Sequence, residues 1–332
     1  MYKGKKEPTD GKVSHTFCCF LWTVSCRMAH ENGYIITAMD WRGMSIFDLP
    51  MVVKVLLSKP HLFQAVRDNL IQAYANKFAL QHFSQNSLLS MEWLSFRLEA
   101  DSTTNPIPTF QGRPPVFVFY GISLGGILGA GYMALSGPTG LIARGILNGG
   151  GTPFALIMTR SLDFTIFDFL LLLNFYNNRH VRIVMSLLQM AWDSVEGSGV
   201  LAPPITEPFP PTLIQAGLGD PIVPSMAAES LARAFHAAIL SKNPIQPYGI
   251  SISVNGTSTV VIAELLYEKE YQSFPTNNVY AKRNDVHDCL PQDEQMIAQI
   301  AEYINTGRLV DPCIADGCRR ASAHCLLPRF PL

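Results

Sequence analysis

Residues Val116-Phe-Val-Phe-Tyr120-Gly121-Ile122-Ser123-Leu124-Gly125-Gly126-Ile127-Leu128-Gly129-Ala130 decide how the rest of the chain is read. An apolar, β-branched and aromatic run predicts a buried strand. It breaks at Gly121 into Gly-x-Ser-x-Gly and continues as a small-residue helix through Ala130, Met133 and Leu135. Strand, tight turn and helix together have the geometry of a nucleophile elbow. A serine on a sharp turn needs neighbours without Cβ, so that the backbone folds tightly and Ser123 Oγ stands clear. The amides that open the following helix, that of Leu124 first, face this oxygen with the positive end of the helix dipole. They suit an oxyanion forming beside the serine.

Other glycine-rich turns bind phosphates, and the spacing separates them from this one. A phosphate loop requires Gly-x-x-x-x-Gly-Lys-Ser/Thr, and no lysine follows here. A dinucleotide fingerprint requires Gly-x-Gly-x-x-Gly, whereas these glycines fall at 121, 125, 126 and 129. A purely structural turn remains as the other reading of the pentapeptide.

With 332 residues, 48% of them hydrophobic, the chain can bury one large core or a core with a smaller subdomain, as a soluble globular protein does. Lys and Arg total 25 against 26 Asp and Glu, a formal net charge of -1, so no basic field draws nucleic acid. The N-terminus is charged, and the apolar patch at 17–24 is too short for an export signal or anchor. The apolar stretch 164–175 contains Asp168 and Asn174 and falls short of the roughly 20 residues of a membrane span. No transmembrane segment is expected.

The seven cysteines, at 18, 19, 26, 289, 313, 318 and 325, are odd in number and scattered. They make neither a complete disulfide framework nor a zinc pattern, so neither a metal nor another cofactor is expected. Cys313 and Cys318 alone have the spacing of a local disulfide. That pair implies an oxidising compartment, at odds with the missing signal, and leaves the localisation open. Oligomeric state is not written in the sequence.

In chain order, residues 1–33 form an atypical segment. Residues 34–39 (Tyr-Ile-Ile-Thr-Ala-Met) predict a strand, ended by the polar turn 40–45. Leu62, Val66, Leu70, Tyr74 and Phe78 then recur every four residues on an amphipathic helix. A proline-rich loop at 103–115 leads into the elbow, and 142–147 is the next strand, stopped by Asn148-Gly-Gly-Gly-Thr-Pro153. Apolar helices follow over 154–192, either an insertion that caps the sheet edge or a helix pair of the ordinary core. The chain returns through prolines at 201–211 to a strand from Thr212, a loop at Asp220 and a helix at 225–238 with Ser225 as N-cap. Asn255-Gly256 predicts a hairpin between 248–254 and 258–267. His287 lies in a polar loop before a final helix at 292–304. Strands alternating with helices indicate an α/β fold with a mostly parallel sheet flanked by helices. The expected organisation is therefore an atypical segment 1–33, one domain over 34–304 with a helical insertion at about 154–211, and an irregular tail 305–332.

A serine alkoxide is inaccessible at neutral pH without a base, so Ser123 needs a histidine and the histidine needs an acid. His61, His82, His180 and His236 fall in helices, and His15, His30 and His324 in atypical or terminal segments. His287 alone follows the last strand in a polar loop. Asp220 ends a strand, where open parallel sheets hold reactive groups. Ser123, Asp220, His287 is the chain order associated with this elbow. Asp285 and Asp288 compete for the acid role but lie too near His287 in sequence to reach its ring well. Taken singly, Asp220 also reads as a capping or turn aspartate and His287 as a solvated loop histidine.

With these residues in place the chain resembles the α/β-hydrolases over about 34–304. Asp40-Trp-Arg-Gly43, Gly121-Ile-Ser123-Leu-Gly125, Gly219-Asp220-Pro-Ile-Val223 and Val286-His287 carry the resemblance. More narrowly, residues 120–129, Leu187-Leu-Gln-Met-Ala-Trp192-Asp and Asp311-Pro-Cys313 resemble a poorly characterised, bacterial-type group of these hydrolases. The resemblance implies hydrolysis of a small-molecule ester or related acyl substrate, and the apolar insertion adds an expectation that the substrate is apolar. The superfamily draws a second oxyanion amide from a His-Gly segment after an early strand. Here that region lies before residue 34, where His15-Thr16 is a poor substitute and the composition reads as a truncated or incorrectly joined segment. Leu124 is then the assigned donor. A hydrolase-like protein that binds without catalysing is the alternative expectation.

Overall fold

The structure, a computed structural model, describes residues 25, 27–29, 31–88, 115–201, 210–253, 258–271, 282–313 and 317–325. The chain divides into a unit of Thr37–Cys325 and a second of Met1–Ile36 with Leu326–Leu332. In the second unit a helical turn ends where the Tyr34 amide donates to the Ala29 carbonyl at 3.0 Å. The sheet and the site lie in the first.

Among the described residues six strands form one sheet: β1 Val118–Ile122, β2 Arg144–Asn148, β3 Thr212–Leu218, β4 Ala238–Ile239, β5 Val260–Tyr267 and β6 Arg319–Arg320. Their order is β1-β2-β3-β5-β4, β6 pairs with β5, and every pairing is parallel. Parallel strands are covered on both faces, which demands the near-continuous apolar runs seen here. Every residue of β3 and β5 is buried. Val260 and Ile262 join a large core with the elbow helix Leu124–Ser136 and the helix Ser225–Ala234, while Leu265 and Tyr267 join a second core with Val286 and Met296. The architecture is α/β, a parallel sheet with flanking helices.

Register brings the strand ends into line. Ile122 sits beside Asn148 and Asn148 beside Gln215, so Ser123, Gly149 and the loop carrying Asp220 leave the sheet at the same edge. A buried polar ladder fixes this edge: Asn148 Nδ2 donates to Gln215 Oε1 at 2.8 Å, and Gln215 Nε2 donates to Gln299 Oε1 at 2.7 Å. Gln299 lies on the last long helix, Glu294–Thr306, whose first amides are capped by the Asp293 carboxylate. Pairing offsets most of the cost of burying these amides, although Asn148 Oδ1 is itself buried without a partner.

The elbow depends on absent side chains. A Cβ on Gly121 would lie 2.2 Å from the Gly125 carbonyl oxygen, and one on Gly126 would lie 2.9 Å from Gly150 Cα. The glycine at 125 is different, since the nearest atom to its Cβ would be Trp41 Nε1 at 4.0 Å.

Several expectations are corrected. Residues 34–39 join no strand of the sheet, and Ile35 and Ile36 are 47% and 39% exposed. Apolar β-branched residues form a strand only beside a partner edge and a half-buried face, and propensity does not supply either. The hairpin at Asn255-Gly256 is replaced by a parallel arrangement. β5 pairs with β3 and β4, and the preceding segment contributes only the bridge of Ile252 to Ile239, with residues 254–257 outside the described set. An almost wholly apolar strand gains more from burial between two neighbours than from a hairpin with one buried face. His287 stands on a short helix, Val286–Cys289, and Pro224 rather than Ser225 is the N-cap residue of its helix. The segment expected as an irregular tail contributes β6 and two disulfides, Cys313–Cys318 and Cys289–Cys325. The proline-rich loop 103–115 and the segment 1–24 lie outside the described residues, Pro115 excepted.

Between β2 and β3 the helices Phe154–Met158, Thr165–Phe175 and Asn178–Trp192 combine the two readings of the insertion. Phe154, Ile157 and Trp192 belong to the large core, whereas Leu171, Val181 and Met185 pack with Leu56 in a separate cluster.

The contacts at the two elbow glycines predict different costs. Gly121→Ala is expected to destabilise the protein by about 1–3 kcal/mol, since backbone must move. Gly125→Ala is expected to change stability by less than about 1 kcal/mol. Equal losses in chemical denaturation would contradict this steric distinction.

Candidate functional site

Ser123 caps β1 with φ 54° and ψ -119°, a left-handed backbone that an L-residue adopts only when its surroundings impose it. The constraint is visible: Ser123 N–H donates to the Asn148 carbonyl at 2.9 Å, and its own carbonyl accepts from Gly126 and Ile127 at 2.8 and 3.0 Å. The side chain is thereby held clear of the strand. Leu124 is the first residue of the helix and has no intrahelical acceptor for its N–H, so the elbow itself supplies one oriented donor.

The structure brings Ser123, His287 and Asp220 together across 164 and 67 residues of sequence. His287 Nε2 lies 2.8 Å from Ser123 Oγ, and His287 Nδ1 lies 2.7 Å from Asp220 Oδ2. The second carboxylate oxygen of Asp220 accepts from the backbone amides of Ile222 and Val223 at 2.7 and 2.9 Å. Those two bonds aim the carboxylate, and the carboxylate then selects the tautomer with the proton on Nδ1, leaving Nε2 as the acceptor that faces the serine. The Asp220 side chain is 1% exposed and that of His287 12%. Neither Asp285 nor Asp288 takes the place at Nδ1. Asp285 occupies the N-cap position of the histidine helix, and Asp288 acts on His287 as a nearby charge.

The histidine helix is held by complementary pieces of β3. Val286 Cγ1 occupies the space where a Cβ on Gly217 would sit, 2.6 Å away. Asn284 Nδ2 donates to the Gly219 carbonyl at 2.9 Å while Asn284 Oδ1 accepts from the Val286 amide at 3.0 Å. Gly149, with φ 58°, passes beside the ring, and a Cβ there would lie 3.5 Å from His287 Cε1.

Charge on the imidazole is set by opposing effects. Burial disfavours the imidazolium, but the Asp220 carboxylate, its hydrogen bond and the charges of Asp288 and Asp163 outweigh it and hold His287 above its ordinary value. Nothing in the sequence marks Asp163. It lies in the 3-10 turn Leu162–Phe164, which is tied to the Asp220 loop by the Leu162 amide donating to the Pro221 carbonyl at 3.0 Å. An aspartate within an apolar insertion carries no motif, and only the fold brings it near the ring.

Among the described residues no group of three or more His, Cys, Asp or Glu is arranged to hold a metal ion, and no helix is long and apolar enough to cross a membrane.

The raised His287 value predicts that its imidazolium loses its proton at a midpoint above about 6.5, followed by the NMR shifts of the ring. Asp220→Asn removes the main stabilising charge, lets burial dominate and lowers that midpoint. A His287 midpoint below the ordinary histidine value in the unaltered protein would contradict this balance, in which nearby charge outweighs burial. Compared with known proteins, the chain matches no family model, no curated protein and no solved structure.

Proposed function

We propose that this chain is a serine hydrolase of the α/β-hydrolase type, cleaving a carboxylic ester or related acyl substrate through an acyl-enzyme. The observation that carries the reading is the relay Ser123 Oγ to His287 Nε2 at 2.8 Å and His287 Nδ1 to Asp220 Oδ2 at 2.7 Å. It stands on a strand-to-helix turn with a strained serine backbone.

Each group has a defined task. Ser123 Oγ attacks the ester carbonyl carbon as its proton passes to His287 Nε2, and Asp220 stabilises the imidazolium that results. The carbonyl oxygen becomes an oxyanion, for which the Leu124 amide at the helix N-terminus is the assigned donor. Collapse of the tetrahedral species breaks the bond to the leaving alcohol, which takes the proton from Nε2. Water then repeats the sequence on the acyl-enzyme and releases the acid. The apolar composition of the insertion 154–192 is the ground for expecting an apolar acyl group.

A hydrolase-like binding protein is the second reading, favoured by the assignment of a single oxyanion donor among the described residues. Loss of one donor costs about a hundredfold or more in rate, which leaves turnover slow.

Short acyl esters separate the two. Ser123→Ala is expected to abolish release of the leaving group, and Asp220→Asn to lower kcat/KM by about 10⁴-fold, while Asp285→Asn and Asp288→Asn change it far less. kcat/KM should decline as pH drops, with the midpoint of that acid limb above about pH 6.5, because only neutral His287 accepts the serine proton and its value is raised. Turnover unchanged in Ser123→Ala would overturn the hydrolase reading, and saturable ester binding without release would favour the binding protein.

A further inference from the structure

The histidine helix Val286–Cys289 has four residues, far below the roughly 12–15 at which an isolated helix becomes even marginally stable. Its position must therefore come from tertiary constraint. Toward its N-terminus the constraints are Val286 against Gly217 and the Asn284 hydrogen bonds. At its other end, two residues beyond His287, stands Cys289, which is buried and disulfide-bonded to Cys325 across a separation of 36 residues.

The partner cysteine is itself anchored. Residues 317–325 are bound along the end of β5: the Leu266 amide donates to the Cys318 carbonyl at 2.8 Å, and the Glu268 amide to the Arg320 carbonyl at 2.9 Å. The Lys269 amide donates to the Ala321 carbonyl at 3.2 Å, and the Ala323 amide to Glu270 Oε2 at 3.1 Å. Arg320 Nε reaches Asp293 Oδ2 at 2.8 Å, the carboxylate that also caps the last long helix. Cys289, Cys313, Cys318 and Ala323 close one apolar cluster with Leu265, Tyr267, Val286 and Leu290. The strap is therefore fixed to the sheet on one side and bonded covalently to the histidine helix on the other.

We propose that the Cys289–Cys325 disulfide is a positioning element for the His287 imidazole, holding Nδ1 on Asp220 and Nε2 on Ser123. As a role in catalysis this rests on the hydrolase reading; as a statement about the imidazole it does not. A catalytic group tolerates displacement of only about 0.5 Å, and an error of about 1 Å costs on the order of a hundredfold. Loss of the cross-link removes the covalent hold at the C-terminal end of the four-residue helix and leaves it to packing such as that of Leu290. The carboxylates facing the ring are Asp220 from the loop after β3, Asp163 from the 3-10 turn and Asp288 from the helix itself. Release of the tether lengthens the contact with Asp220 first, because the other two act only as charges nearby.

The test compares the disulfide-bonded full chain with Cys325→Ser, which lies outside the site. Non-reducing mass establishes the cross-link, and circular dichroism establishes the fold. The expected result is a fall in the His287 titration midpoint toward the ordinary value, with the other histidines unmoved, and at least a tenfold lower kcat/KM on a short acyl ester at the plateau of its pH profile. General loss of stability would reduce the folded fraction without moving the titration of the folded protein. If Cys325→Ser does not fold, the folded unaltered chain is treated with a dithiol. Each disulfide then accepts two electrons and two protons to give two thiols, as the dithiol becomes a disulfide, and the same titration is read. A His287 midpoint unchanged by loss of the cross-link overturns the proposal. A midpoint that moves in a protein without esterase activity supports the positioning role and removes the hydrolase reading instead.

Discussion

The parallel register of β1, β2 and β3 is the constraint on which the site depends. Ile122, Asn148 and Gln215 stand abreast, so the chain leaves three neighbouring strands at one edge with Ser123, Gly149 and the Asp220 loop side by side. Open parallel sheets concentrate reactive groups at this edge, because the crossover helices leave room beyond the strand ends. The amide ladder from Asn148 through Gln215 to Gln299 adds specificity to the alignment, since a slip by one residue would bury unpaired amides. The strained serine backbone is tolerated because the turn around it is fixed by three backbone hydrogen bonds and by glycine packing.

From this edge the electrostatics follow. Asp220 is buried, yet both its oxygens are paired, one with the His287 ring and the other with two backbone amides. A buried carboxylate satisfied in this way acts on the imidazole at short range. The effect on His287 opposes that of burial and exceeds it. The same neighbourhood that keeps Nε2 free of protonation by tautomer choice therefore also raises the pH at which the ring becomes neutral.

What the sequence made legible was local or tied to strand ends. The elbow was readable because every requirement lies within a few residues: apolar strand, Gly121, Ser123 and a small-residue helix. Asp220 and His287 could be selected because each follows a strand, although the helical setting of His287 could not be seen in a four-residue element. Cys313 and Cys318, five residues apart, could be paired by proximity. The pairing of Cys289 with Cys325 could not, because only the strap along β5 brings them together. Residues 34–39 and Asn255-Gly256 misled for a shared reason, since strand propensity and turn chemistry are local while the available partner edge is decided by the whole sheet. Gly125 read as a steric necessity like Gly121, and only the backbone path distinguishes them.

The central claim is that Ser123 is the nucleophile of an assembled triad. The most direct measurement is reaction of the folded chain with a fluorophosphonate, followed by peptide mass mapping of the adduct. A single phosphonyl group on Ser123, formed at a rate that drops sharply in His287→Ala, is the predicted result. An adduct on another residue, or no adduct on protein whose fold is intact, would contradict it.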